Sequence, residues 1–206
     1  YSVELGGYDA DEMSTLSEHL VQGGITAMTF QQSPERVLWM VKADGTLVAL
    51  THSRKQQISA FVAGNMAGGG VIESMATIPE GGEDQTYMVV RRTINGSTRR
   101  YVERMNWAAC HDCRTLRTLS PASTTITGLT AYAGATVGVV ADDVDLGDFT
   151  VTAGGEVTLP RKATQVALGF RSLPTLKLLP PEVGTGMGAS SGRSVHNGKT
   201  AVLFQQ

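Results

Sequence analysis

The sequence predicts an all-β protein, with propeller-like antiparallel meanders followed by a small β-barrel or sandwich domain. Three observations carry this. Short apolar runs repeat from Ile25 to Met105 with little between them. Two dipeptides, Asp44-Gly45 and Asn95-Gly96, tolerate the positive φ of a tight hairpin turn. From Thr124 onward the chain becomes a series of Val- and Thr-rich runs broken by Gly or Asp.

Taken in order, residues 1–13 carry little pattern and read as an arm. Thr15 to Gln22 reads as a short helix: Thr15 and Glu18 have capping-box spacing, Leu16 and Leu20 share a face, and Gly23-Gly24 stops it. Strands are expected at about 25–31, 36–43, 46–52 and 56–62. After Gly68-Gly69-Gly70 they resume at about 71–78, 85–94 and 97–105. Sequential strands with short connections and no intervening helix make meanders, the building unit of propeller blades. Residues 106–122 read as irregular, and the small β domain is expected over 123–172. Pro174, Pro180 and Pro181 interrupt the next stretch of chain, 184–194 reads as a flexible loop, and a returning strand is expected at about 199–205. The organisation is therefore 1–122, 123–172 and 173–206. Tyr1 at the start and the apolar AVLFQQ at the end give the chain the look of an internal fragment.

Composition narrows the function. The 206 residues are 41% hydrophobic and 17% charged, enough apolar matter for real cores. A formal net charge of −2 gives no global pull toward nucleic acid or membrane. No apolar run approaches the roughly 18 residues of a membrane-spanning helix. The 24 glycines exceed the average usage of about 7%, as many tight turns require. Two cysteines are too few for a disulfide framework.

Catalytic and ligand-binding patterns are weak. Cys110-His111-Asp112-Cys113 is a CxxC pair without a βαβ context for redox chemistry and without a second pair for zinc. Free or opportunistically oxidised thiols are expected, with a local disulfide as the alternative. GTGMGASSGRS, 184–194, misses the phosphate-loop spacing, because five residues separate Gly186 from Gly192 and Arg193 stands where lysine belongs. No GxSxG elbow occurs. Asp142, Asp143, Asp145 and Asp148 cluster in a turn without the terminal Glu of a calcium loop, so a solvated acidic turn is expected. Neither cofactor nor metal is expected, and the chain reads as a non-enzyme.

The arginines are more informative. A two-residue turn at Asn95-Gly96 sets Arg92 opposite Arg99 and Arg91 opposite Arg100. Like charges directly opposed destabilise a hairpin, so this tip is a candidate interface for an anionic partner. The plainer alternative is a solvated tip partly paired with Glu103 or Asp84. Trp39, Tyr87, Tyr101 and Trp107 read as packing aromatics.

Three segments, LSEHL, MTFQQSPERVLWMVKADGTLVALTHSR and VVRRTINGSTRRYVERM, resemble the tail-nozzle (tail tubular) proteins of short-tailed phages and their prophage relatives. TITGLTAYAGATVGVVADD and VTAGGEVTLPRKATQVALGF resemble the small β domain that comes after the propeller strands there. The likeness spans about residues 14–172, and WAACHDCRTLRTLSPAS departs from it. It implies a virion structural protein, made in the bacterial host cytoplasm. Such a protein self-associates into a ring, docks to the portal or adaptor and other tail proteins, and lets DNA pass through its lumen without sequence-specific binding. It implies no catalytic residues. The alternative is a carbohydrate- or host-surface-binding β module, which aromatic and acidic groups lining one exposed groove would favour.

Overall fold

The computed structural model describes residues 12–172 apart from Leu16, Gln57 and the Arg54 side chain. The expected 184–194 loop and 199–205 strand lie outside the described residues. The described residues are all-β: three antiparallel sheets, none closed into a barrel, and one short α-helix, α1 (Glu18–Val21). That helix is shorter than the predicted Thr15–Gln22. Ser17 stands at its N-cap without a side-chain bond, and the Thr15 hydroxyl donates to Glu12 O instead of capping.

The first sheet is a meander of β1 (Ile25–Gln31), β2 (Val37–Lys42), β3 (Leu47–Ser53) and β4 (Ile58–Gly64) in sequence order. Its strands fall within about two residues of expectation, because alternation along β1 and turn chemistry fix the register. The β2–β3 turn differs in kind from the Asn95-Gly96 turn. Gly45 N donates to Lys42 O and only Gly45 has positive φ (80°), so a type I turn is closed by a glycine bulge. A Cβ on Gly45 would stand 2.4 Å from Val71 Cγ1, so glycine also permits the next sheet to approach.

The second sheet has three strands, β5 (Val71–Glu80), β6 (Glu83–Ile94) and β7 (Ser97–Arg104). Asn95 and Gly96 both have positive φ, as a type I′ turn requires. Val41, Ile72, Met88 and Val90 form an apolar core between the first two sheets. A polar chain stitches them as well. Trp39 Nε1 donates to Gln31 Oε1 (3.0 Å), Thr86 Oγ1 donates to the same oxygen (3.3 Å), and Thr77 N donates to Thr29 Oγ1 (2.9 Å). Each of these polar groups thereby finds a partner. Asp84 takes no part in the arginine tip; its Oδ2 accepts from Gln32 N and Ser33 N.

The third sheet corrects the sequence-based expectation most. Residues 106–122 are not all irregular, since β8 runs from Asp112 to Ile126 and forms an outer strand. It joins β9 (Thr136–Ala141), β10 (Val144–Thr150) and β11 (Val157–Phe170) in the order β10-β9-β11-β8. VTLPRKATQVALGF is one long strand, β11, whose pairing with β8 shifts register around Ala163. GLTAYAG is a loop with a single 3₁₀ turn at Thr130–Tyr132. The core of this sheet includes Ile126, Leu129, Val139, Val166 and Leu168, all at or below 1% exposure.

Candidate functional site

The arginine hairpin has the predicted register, Arg91↔Arg100 and Arg92↔Arg99. Strand alternation then divides the four arginines between two faces. Arg91 and Arg100 share the outer face and Glu73, whose carboxylate accepts from Arg91 Nε (3.0 Å) and Arg100 Nε (2.6 Å). The Arg100 guanidinium, first of these two, holds the Glu73 carboxyl below the usual carboxylate range.

Arg92 overturns its place in the candidate interface: its exposure is 0%. It points inward with Met88 and Val90, four and two residues earlier, into the junction of the second and third sheets. Its guanidinium grips Glu103 with two parallel bonds, Nε–Oε1 (2.8 Å) and Nη2–Oε2 (3.0 Å). Nη1 donates to Ala67 O. Phe170 of β11 lies against it, with Cζ 5.3 Å from the ring centroid. Glu103 Oε2 also accepts from Cys113 N on β8 (3.2 Å), and Asp112 Oδ2 accepts from Ala67 N (2.5 Å). Opposed charge at the tip is thus relieved within the chain, by Glu73 on one face and Glu103 on the other. Arg99 remains exposed, with no carboxylate within 4 Å among the described residues.

The Cys110–Cys113 segment leads into β8. Both cysteines are free thiols; Cys110 is exposed, and burial pushes the Cys113 thiol up. His111 is 7% exposed, and its Nδ1 finds no partner among the described residues. Burial, and next the Arg171 guanidinium, hold His111 below the ordinary histidine value. The acidic turn is occupied by its own chain. Asp142 accepts from Thr164 N and Gln165 N, while Asp145 and Asp148 pair with Arg171 at 2.6 and 3.2 Å. No group of three or more metal-ligating side chains occurs among the described residues.

Trp39, Tyr87 and Tyr101 are buried or half-buried, but Trp107 is 63% exposed and covers Trp39 at a 5.8 Å centroid separation. Tyr132 and Phe170, which no sequence pattern singles out, are buried aromatics of the third sheet, 5.7 Å apart.

A groove of about 650 Å³ runs between β7 and β8. It contains the aromatic and acidic groups that a carbohydrate module would use, namely Tyr101, Tyr132, Glu103 and Asp112. All four are engaged within the chain, Tyr101 through its hydroxyl, which donates to Ala131 O. Glu103 holds Arg92, Asp112 holds Ala67 N, and the Tyr132 hydroxyl sits against Cys113 O and Thr115 Oγ1. Those acceptors are therefore committed before a sugar hydroxyl arrives. No known protein family and no curated protein matches the chain. No helix among the described residues is long and apolar enough to cross a membrane.

Proposed function

We propose that this chain is a structural part of a phage tail, built from propeller-like sheets that contribute to a nozzle ring through which DNA passes. The observation that carries the assembly reading is the outer strand β4. Its sequence, ISAFVAG, has neither charge nor proline, and Ile58 and Val62 are 46% and 65% exposed. Soluble proteins normally blunt such an edge with charge, proline or a bulge, because its unpaired N–H and C=O groups template further strands. An edge that is open and apolar among the described residues suits a strand meant to be covered by a neighbour. Met28 and Phe30 on β1, 63% and 55% exposed, add apolar area on the same sheet.

The phage-tail reading rests on the resemblance of residues 14–172. The mechanism it implies is geometric. Sheets stitched by buried polar bonds hold their edges at fixed angles, and head-to-tail contacts between such edges generate a closed ring when the rotation closes. Tight phosphate binding would slow DNA transit, and a net charge of −2 supplies no general grip. In this reading the arginine-bearing edges face protein neighbours, not the lumen.

The test is location. An epitope placed at the exposed Gly81-Gly82 turn, between β5 and β6, leaves both cores untouched. Immuno-electron microscopy of particles from the encoding phage or prophage is expected to label the tail end distal to the head–tail junction. Label confined to the capsid, or particles without the protein, contradicts the proposal.

A further inference from the structure

Among the described residues the first sheet has four strands but the second stops at three, leaving β7 paired on one side only. β8, likewise, is an outer strand of the third sheet. Both strands border the same groove, β7 through Tyr101–Arg104 and β8 through Asp112–Leu116. Among the described residues their outward N–H and C=O groups have no strand partner, Cys113 N and O being held by side chains, Glu103 Oε2 and the Tyr132 hydroxyl. The floor is apolar, with Leu47, Met66 and Met88, and the rim carries Val102 and Leu116, 74% and 62% exposed. Alternating apolar side chains over two open edges are the requirements of an added strand.

Charge selects the occupant. β7 carries Arg99, Arg100 and Arg104, and β8 carries Arg114 and Arg117. Of these five, Arg100 alone has a carboxylate within 4 Å among the described residues. The two carboxylates of the groove, Glu103 and Asp112, are committed to Arg92 and Ala67 N. Two copies meeting through these edges would oppose arginine with arginine, which is unfavourable. Nucleic acid would satisfy the arginines but leave the apolar floor and both edges uncovered.

We propose that the groove between β7 and β8 binds an extended, acidic segment of another protein chain as an added strand. The inference is independent of the phage-tail reading, since it rests on two open edges, an apolar floor and unbalanced arginines.

The test uses the full chain and a short capped, fluorescein-labelled peptide alternating glutamate with valine. It is expected to bind, with affinity falling as salt rises, and to slow amide hydrogen exchange in β7 and β8. Its lysine–valine counterpart is expected not to bind. Combining Arg104→Glu with Arg114→Glu should weaken binding about tenfold or more. Should that variant misfold, Val102→Asp alters only an exposed rim position and must weaken binding as well. Failure of the acidic peptide to bind, equal binding of both peptides, or protection outside β7 and β8 overturns the proposal. So does an oligothymidine that displaces the peptide, or β7–β8 protection that rises with protein concentration alone, which would make a second copy the occupant.

Discussion

Arg92 and Glu103 form a forked ion pair inside the chain, at 2.8 and 3.0 Å, with the arginine wholly buried. One residue lies on β6 and the other on β7, yet their bonds reach Ala67 O, Cys113 N and the Phe170 ring. The pair therefore ties the second sheet to the third. Removing one member of a buried pair strands the other charge, which costs about 3–5 kcal/mol.

Arg92→Gln is accordingly expected to lower unfolding stability by about 3 kcal/mol or more. Arg99→Gln, on the exposed side of the same cross-strand pair, is expected to change it by no more than about 0.5 kcal/mol. Urea titration of both variants is the check. Equal effects would mean that Arg92 is not the buried latch described.

His111 gives the fold a pH dependence separate from that of its carboxylates. Burial is the largest influence on the histidine; around it stand Arg171 and Arg114, which also disfavour its charge, and Asp145 and Asp148, which favour it. A histidine depressed in the folded state binds its proton more readily when unfolded. Stability is thus fully present above the unfolded value of about 6.5 and falls as pH drops below it. Thermal melts from pH 7.5 to 5 are expected to show this loss, and His111→Gln to flatten it. The Asp142 and Asp145 carboxyls, held low by backbone N–H groups and Arg171, lose their stabilising contribution only at more acidic pH. An unchanged slope in His111→Gln would remove the histidine from the account.

The cysteines should differ in reactivity. Exposed Cys110 is expected to label rapidly with a thiol reagent at neutral pH. Half-buried Cys113, its thiol pushed up by burial, should react much more slowly. Cys110→Ser is then expected to abolish fast labelling, and a second fast thiol in that variant would contradict the packing around Tyr132.

Much of this fold is legible in the sequence because turn chemistry is local. Asn95-Gly96 fixes the β6–β7 register, and with it the facing arginines. The burial of Arg92 is also written in the alternation, since Met88 and Val90 share its parity on β6. Residue type alone places an arginine at the surface, and only tertiary packing supplies Ala67 O and Phe170 as partners. β8 escapes sequence pattern for a related reason. Its residues Arg114, Thr115, Leu116 and Arg117 are half-buried or exposed, so an outer strand shows little apolar alternation. The groove joins Tyr101–Arg104 to Asp112–Leu116, which local pattern cannot bring together.

Association through the uncharged β4 edge is the central claim, and sedimentation velocity of the full chain across micromolar concentrations tests it most directly. Wild type is expected to show weak, concentration-dependent association. Val62→Lys, at a position 65% exposed, should sediment as a monomer throughout with its melting temperature preserved. Identical profiles for the two proteins would contradict the claim.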